Sequence, residues 1–268
     1  MDGQARVAVE SIAVSGRSAA GKMAWITGAS SGIGRALALR LARDGWTIAA
    51  SARGSEALDV LAREAAGQIH AFPLDVTDRA AVVTTFLDIE AALGPVSLAV
   101  FGAGTYYRET VASFDAGKIG EMVNLNILGT ANCLETVMRA MVARGSGHIG
   151  VMSSVAGYVG LPGAAGYGAT KAALINMCEA LYPELAAKGV RLSLVNPGFV
   201  DTPLTRKNDF AMPFIISAEE AADYIARGLA ARRFEIVFPW KMALVFKLLR
   251  ALPARLRFLL TRRMVRND

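Results

Sequence analysis

The sequence predicts a doubly wound α/β domain, a parallel sheet covered by helices on both faces, and three observations carry that expectation. From Met23 onward, short apolar runs alternate with amphipathic stretches of helical period. The runs are almost continuously apolar, as strands buried on both faces must be. A glycine-rich turn, "TGASSGIG", joins the first run to the first helical stretch, and right-handed crossovers then wind the sheet in both directions.

The elements follow in order. "MAWIT" reads as the first strand, and a helix from Ile33 to Asp44 is closed by Gly45. "WTIAAS" is the second strand, with a helix over roughly 55–66 behind it. "IHAFPLDV" supplies the third, and Asp78 caps a helix running to about Leu93. "VSLAVFGAG" is the fourth strand, and one long helix is expected from about Asp115 to Ala143. "GHIGVMSS" is the fifth, followed by the helix that carries Tyr167 and then "VRLSLVNPG" as the sixth. Pro183 lies inside that helix, where a lost backbone bond costs ~3 kcal/mol and predicts a kink.

No repeat and no composition shift marks a second domain before residue 236. The chain therefore divides into a flexible leader over 1–22, in which "SGRSAAGK" reads as a loop, a single domain over 23–235, and a C-terminal extension over 236–268.

Bulk composition narrows the function. With 268 residues, 53% hydrophobic and 19% charged, this is an ordinary folded chain with length for a large core. The net charge of +6 is unevenly spread: residues 236–268 hold eight Lys or Arg against Asp268 alone, so the body is close to neutral. A nucleic-acid binder would carry its basic stripe on the folded body, so nucleic acid is not an expected partner. Cys133 and Cys178 sit in apolar helical patterns without metal-ligand spacing; they read as buried hydrophobes, and no metal is expected. No run of 18 uncharged apolar residues occurs, and the first 22 residues, with Asp2 and Glu10, do not read as a secretory signal. The expected location is the cytoplasm.

Two constellations carry chemistry. Gly28, Gly32 and Gly34 lie between the first strand and a helix N-terminus, where free N–H groups and the helix dipole face a bound anion. Tyr167 and Lys171 stand four apart, on one helix face a turn from each other, and Ser154 precedes Tyr167 by thirteen residues. A phenol beside an ammonium can serve as a proton donor and acceptor; on this pair alone, a solvated helix start in which a Lys happens to follow a Tyr is the reading to prefer.

Together with three further segments, these motifs resemble the short-chain dehydrogenase/reductase family in its standard-length subfamily, over roughly residues 22–235. The resemblance implies a Rossmann-type fold and a nicotinamide cofactor. "TGASSGIG" matches the cofactor loop and implicates Thr27, Gly28, Ser30, Ser31, Gly32, Ile33 and Gly34. "LDVTD" matches the segment in which Asp75 holds the adenine with Val76 alongside, and "NILG" the motif whose Asn, here Asn126, is catalytic. "YGATK" matches the Tyr-x-x-x-Lys pair. "NPGFVDT" matches the segment after the sixth strand, implicating Pro197, Gly198, Val200 and Thr202, the last on the nicotinamide carboxamide.

One departure is clear. Gly102 stands where the family usually has Asn, although Ala103 and Gly104 still allow close approach to the cofactor. After the second strand, Ala52 replaces the Asp that would repel a 2′-phosphate, and Arg53 attracts one. NADP(H) is therefore the preferred cofactor, with NAD(H) left open.

On this resemblance, Tyr167 protonates a carbonyl oxygen, Ser154 polarises it, and Lys171 holds the nicotinamide ribose and favours the phenolate. Asn126 holds a water that links Lys171 to solvent. The reaction expected is hydride exchange between NADP(H) and a carbonyl or secondary alcohol. A non-catalytic NADP(H)-binding sensor or scaffold is the alternative, and the complete set of four residues argues against it. Enoyl reductases space the Tyr and Lys further apart. Relatives pair through the helices matching 115–143 and 165–188, which implies a homodimer or homotetramer.

His70 and His148 lack partner patterns and read as structural. Tyr106 or Tyr107, at the end of the fourth strand, is a candidate substrate contact. The extension is basic and amphipathic with aromatic anchors at Phe238 and Trp240, which suits an anionic membrane surface; a lid or subunit interface is the competing reading. With the apolar segment "FAMPFII" at 210–216, it suggests an apolar substrate.

Overall fold

Alternation along each strand sends neighbouring side chains to opposite faces of one sheet. In β1 (Met23–Thr27), Met23 and Trp25 pack on one side while Ala24 and Ile26 pack on the other. The computed structural model describes residues 21–265 apart from 66 and 209. Most of the leader expected over 1–22 lies outside the described residues.

The strands are β1, β2 (Thr47–Ser51), β3 (Ile69–Ala71), β4 (Leu98–Phe101), β5 (Gly147–Met152), β6 (Val190–Pro197) and β7 (Glu235–Phe238). They pair parallel throughout in the order β3-β2-β1-β4-β5-β6-β7. The order reverses between β1 and β4, which opens a crevice at the carboxyl ends of those strands.

The intervening helices are α1 (Gly32–Arg43), α2 (Ser55–Glu64), α3 (Arg79–Leu93), α4 (Ala116–Met122), α5 (Thr130–Arg144), α6 (Ala165–Ala187) and α7 (Ala218–Ala230). Two C-terminal helices follow, α8 (Trp240–Ala251) and α9 (Ala254–Thr261). One core, around Trp25, Phe86, Phe101, Val137 and Leu174, lies beneath α3, α5 and α6. The other, around Ile26, Leu37, Leu58 and Ile225, lies beneath α1, α2 and α7.

Three expectations change. The single helix expected over 115–143 is two helices joined by a π-helical turn, Val123–Gly129. Pro183 lies inside α6, as expected, and the helix continues past it to Ala187. Pro183 and Glu179 are both exposed, so water can take the Glu179 carbonyl that the proline leaves without a donor.

A seventh strand, missed in the sequence, pairs Leu194 to Pro197 of β6 with Glu235 to Phe238. The boundary drawn at 236 therefore falls inside the sheet. Beyond it, Met242 and Phe246 of α8 are buried in the first core. The Tyr158 hydroxyl donates to Glu235 at 2.5 Å, Asn196 Nδ2 donates to the Tyr158 oxygen at 2.9 Å, and Lys247 pairs with Glu235. That network ties the start of the extension to the body.

The cysteines are buried as expected. His148 bonds Ser193 Oγ through Nε2 at 2.8 Å, and burial lowers its pKa to about 4.

Candidate active site

The crevice is built first by the turn after β1. Gly28 has φ of +73°, a region that favours glycine. A Cβ on Gly34 would stand 2.3 Å from the Gly28 carbonyl oxygen, so α1 can pack this closely against the turn only without a side chain there. Ser31 occupies the N-cap position of α1 but makes no capping bond, and the first turn holds no acidic residue. The helices α3 and α7 are capped by Asp78 and Ser217. The N-terminus of α1 therefore keeps its donors for an anion.

The crevice has a volume of about 450 Å³. Its walls include Gly28, Ser30, Ser31, Gly32, Ile33 and Gly34 from the turn, and Ala52 and Arg53 after β2. Asp75, Val76, Ala103 and Gly104 continue the wall, and Ser154, Tyr167, Lys171, Pro197, Gly198, Val200 and Thr202 close it. The chain thus brings together all but two of the catalytic and cofactor-binding residues expected from the sequence.

Thr27 is one exception. It is buried, and its carbonyl and hydroxyl oxygens both accept from the Gly102 N–H at 3.2 Å. That bond also ties Gly102 to β1.

Asn126 is the other, on the π-helical turn and fully buried. Its Oδ1 accepts from the Thr105 N–H at 2.8 Å, while Nδ2 donates to the Thr105 carbonyl and to Thr170 Oγ1, each at 3.0 Å. The side chain clamps the loop after β4 to the helix bearing Lys171, and the Asn126 backbone carbonyl accepts from Thr130 Oγ1. Both amide donors are already used.

The proton-transfer groups converge from β5 and α6. The Ser154 hydroxyl accepts from the Ala156 N–H and donates to the Pro197 carbonyl at 3.3 Å, and it stands near enough to the Tyr167 phenol to stabilise its charged form. Lys171 Nζ donates to the Met152 carbonyl at 3.0 Å and lies 5.6 Å from the centre of the Tyr167 ring. Tyr106 packs edge-on against that ring, centroids 5.1 Å apart, whereas the Tyr107 hydroxyl donates to Glu121.

Burial leads the electrostatics of these two groups. Burial pushes the Tyr167 phenol up to about 12, with the Ser154 hydroxyl pulling the other way and Tyr106 adding to the rise. Burial likewise lowers Lys171 to about 8. Desolvation leads both shifts, because each charged form loses water. Asp75 is held below the usual carboxylate range by the Thr77 N–H, then by the Thr77 hydroxyl, with Arg53 contributing less.

Sequence reasoning passed over Glu109 and Thr205. Glu109 is buried; one oxygen accepts from the Gly166 N–H at 2.8 Å, in the first turn of α6, and the other has no hydrogen-bond partner among the described residues. A lone acid in a loop gives no sequence signal. Thr205 Oγ1 accepts from the Thr202 N–H at 3.0 Å and donates to the Val200 carbonyl at 2.5 Å, which fixes the Thr202 turn. The "DTPLT" spacing of two threonines was its one trace.

A parallel sheet with a crevice at its switch point, and a Ser-Tyr-Lys set opening into it, defines a class of dinucleotide-dependent oxidoreductase folds. Within that class, the chain belongs to the short-chain dehydrogenase family, whose sequence model matches residues 22–212. It is 35% identical over 235 residues to an uncharacterized oxidoreductase of Myxococcus xanthus, covering 87% of this chain and 93% of the relative. It is 34% identical over 190 residues to the 3-oxoacyl-(acyl-carrier-protein) reductase of Thermotoga maritima, covering 70% and 77%. A short-chain dehydrogenase/reductase from Burkholderia phymatum, solved in complex with NAD, superimposes with a TM-score of 0.78 at 26% identity, covering 85% of this chain and 92% of that one. A short-chain dehydrogenase from Streptomyces avermitilis gives the same values.

Proposed function

We propose that this protein reduces an apolar ketone or aldehyde to the alcohol with NADPH. The observation that carries the reading is the Tyr167 phenol, set with Ser154 and Lys171 on the wall of a crevice that begins at an uncapped helix N-terminus. The donor set fits a dinucleotide: free N–H groups for a pyrophosphate, an ionised Asp75 for the adenine end, and Arg53 without an acid at position 52 for a 2′-phosphate. When bound, the nicotinamide supplies the hydride.

The chain's own residues supply the rest. Ser154 turns its one hydroxyl hydrogen from the Pro197 carbonyl to the substrate carbonyl oxygen and polarises it. Tyr167, whose raised pKa keeps the phenol protonated at neutral pH, gives its proton to that oxygen as the carbonyl carbon gains hydride. Lys171, lowered toward neutrality by burial, can return a proton to the phenolate and hold the ribose with its remaining donors. Asn126 acts by position, fixing Thr105 and α6. A protonated phenol favours reduction over oxidation.

Apolar substrates are favoured because Phe214 and Ile215 are exposed at the segment beside the Val200–Thr205 wall. The Burkholderia relative binds NAD, so NADH use is the second reading. Exposed Leu128 and Tyr182, on the π-helical turn and α6, support a homodimer or homotetramer through those elements.

The test is steady-state turnover of a panel of ketones and aldehydes with NADPH and with NADH, for the wild type and Tyr167→Phe. The wild type is expected to reduce at least one carbonyl compound faster with NADPH. The Phe variant should lose more than about tenfold in kcat, one 1.36 kcal/mol step, while binding NADPH as before. No turnover of any compound would favour a sensor or scaffold.

A further inference from the structure

The C-terminal helices reverse the ordinary rule of burial. α8 buries Met242, Ala243 and Phe246, yet its other face carries Trp240, Leu244 and Leu248, four apart and so in one row. Their exposures are 66%, 51% and 59%. α9 buries Thr261 but leaves Leu256, Phe258 and Leu259 in water. Between 240 and 265 stand seven Lys or Arg and no acid. An apolar face of this extent, rimmed by one sign of charge, marks an interaction surface.

We propose that α8 and α9 form a docking surface for an anionic lipid bilayer, with their apolar row at the acyl boundary and their basic residues among the headgroups. Charge selects this occupant. A second copy on the same face would set six cations against six, Lys247 being paired with Glu235. The side chains of residues 1–20, Asp2 and Glu10 against Arg6 and Arg17, carry no net charge to meet them. An anionic lipid surface supplies the opposite sign and apolar depth together.

The surface also reaches the crevice. Lys241 Nζ lies 5.6 Å from the Phe214 ring and 5.9 Å from the Trp240 ring, joining α8 to the apolar segment at the crevice rim. Phe210 packs on Phe199, next to Gly198 of the crevice wall. A lipid-dissolved substrate would enter from the docked side; that clause rests on the reductase reading, and the docking does not.

Flotation of the full-length protein tests it, with vesicles of phosphatidylcholine alone or with phosphatidylglycerol added, at low and high salt. The protein should float with the phosphatidylglycerol vesicles at low salt, be largely released at high salt, and stay behind with phosphatidylcholine alone. The combined Arg255→Glu, Arg262→Glu and Arg263→Glu variant should lose at least about tenfold in the partition coefficient. Leu244→Gln with Leu248→Gln and Phe258→Gln, also at exposed positions, should lose as much. Circular dichroism checks that both variants remain folded, and a vesicle-induced blue shift in fluorescence should vanish in Trp240→Phe. The proposal is overturned if the wild type does not float with phosphatidylglycerol vesicles at low salt. It is equally overturned if both variants float like the wild type, or if sedimentation shows that they dissociate an oligomer, which would make the face a subunit interface.

Discussion

The crevice and the C-terminal helices depart from ordinary burial in opposite directions. Around the crevice, Asn126, Lys171 and Ser154 are taken out of water; on α8 and α9, Trp240, Leu248 and Phe258 are left in it. Either departure costs stability by itself, so each marks a place where the chain serves something besides folding. The two also differ in how they are to be read. A buried polar group is judged by its bonds: Asn126 spends both amide donors inside the chain and is a clamp, whereas Lys171 donates to Met152 and keeps donors for a ligand. An exposed apolar group is judged by what surrounds it, and here that is a field of one sign.

The largest expected effect breaks the buried side of this contrast. Lys171→Met should reduce turnover at least about a hundredfold while raising stability at pH 7 by roughly 1–3 kcal/mol, since it removes a desolvated ammonium. The sign follows from Lys171 standing near 8 when folded against an ordinary value of 10.5. Between those values the unfolded chain binds more protons, so wild-type stability rises with pH and the advantage of the variant shrinks across that window. Denaturant titrations from pH 7 to 10.5 measure it, and a variant less stable at pH 7 would make the ammonium a net structural contributor.

A smaller effect concerns the open rim of the crevice. Ala52→Asp with Arg53→Ala should move the NADPH-to-NADH ratio of dissociation constants toward NADH by about tenfold or more, one 1.36 kcal/mol step. Calorimetric titration with both cofactors reads it directly. An unchanged ratio would transfer the selectivity to Ser30 and Ser31.

The smallest effect sharpens the contrast between closed and open helix ends. Ser217 and Glu220 form a reciprocal cap on α7, so Ser217→Ala should cost about 1 kcal/mol in thermal denaturation. Ser31→Ala should leave the melting temperature unchanged, because Ser31 caps nothing, and should weaken cofactor binding instead. Equal losses of stability in the two variants would show that the turn before α1 is not held open for a ligand.

Much of this molecule was legible in its sequence because its signals are local. The first six strands are short apolar runs, and the crevice residues lie in contiguous motifs at strand ends. What escaped depends on contacts across the chain. β7 was hidden because "EIVF" sits between two arginines and a proline and gains its place only by pairing with β6. The π-helical turn has an unremarkable helical sequence, and its identity comes from how Asn126 meets Thr105 and Thr170. The raised pKa of Tyr167 was missed for a related reason: spacing shows which charge stands near a phenol, but not how much water the fold removes from it.

Gly198 carries a consequence for synthesis. It lines the crevice, its N–H bonds the Phe238 carbonyl at 2.7 Å, and a Cβ there would stand 2.3 Å from Met242 Sδ. Part of the wall of a site encoded almost wholly before residue 206 is therefore propped by residues translated some forty positions later. Until those residues leave the ribosome, β6 is a bare parallel edge of eight residues, open to pairing with a neighbouring nascent chain. A chain broken off at Glu235 would lose a sheet edge along with its tail, and should accumulate as aggregate instead of as a soluble, lipid-blind enzyme.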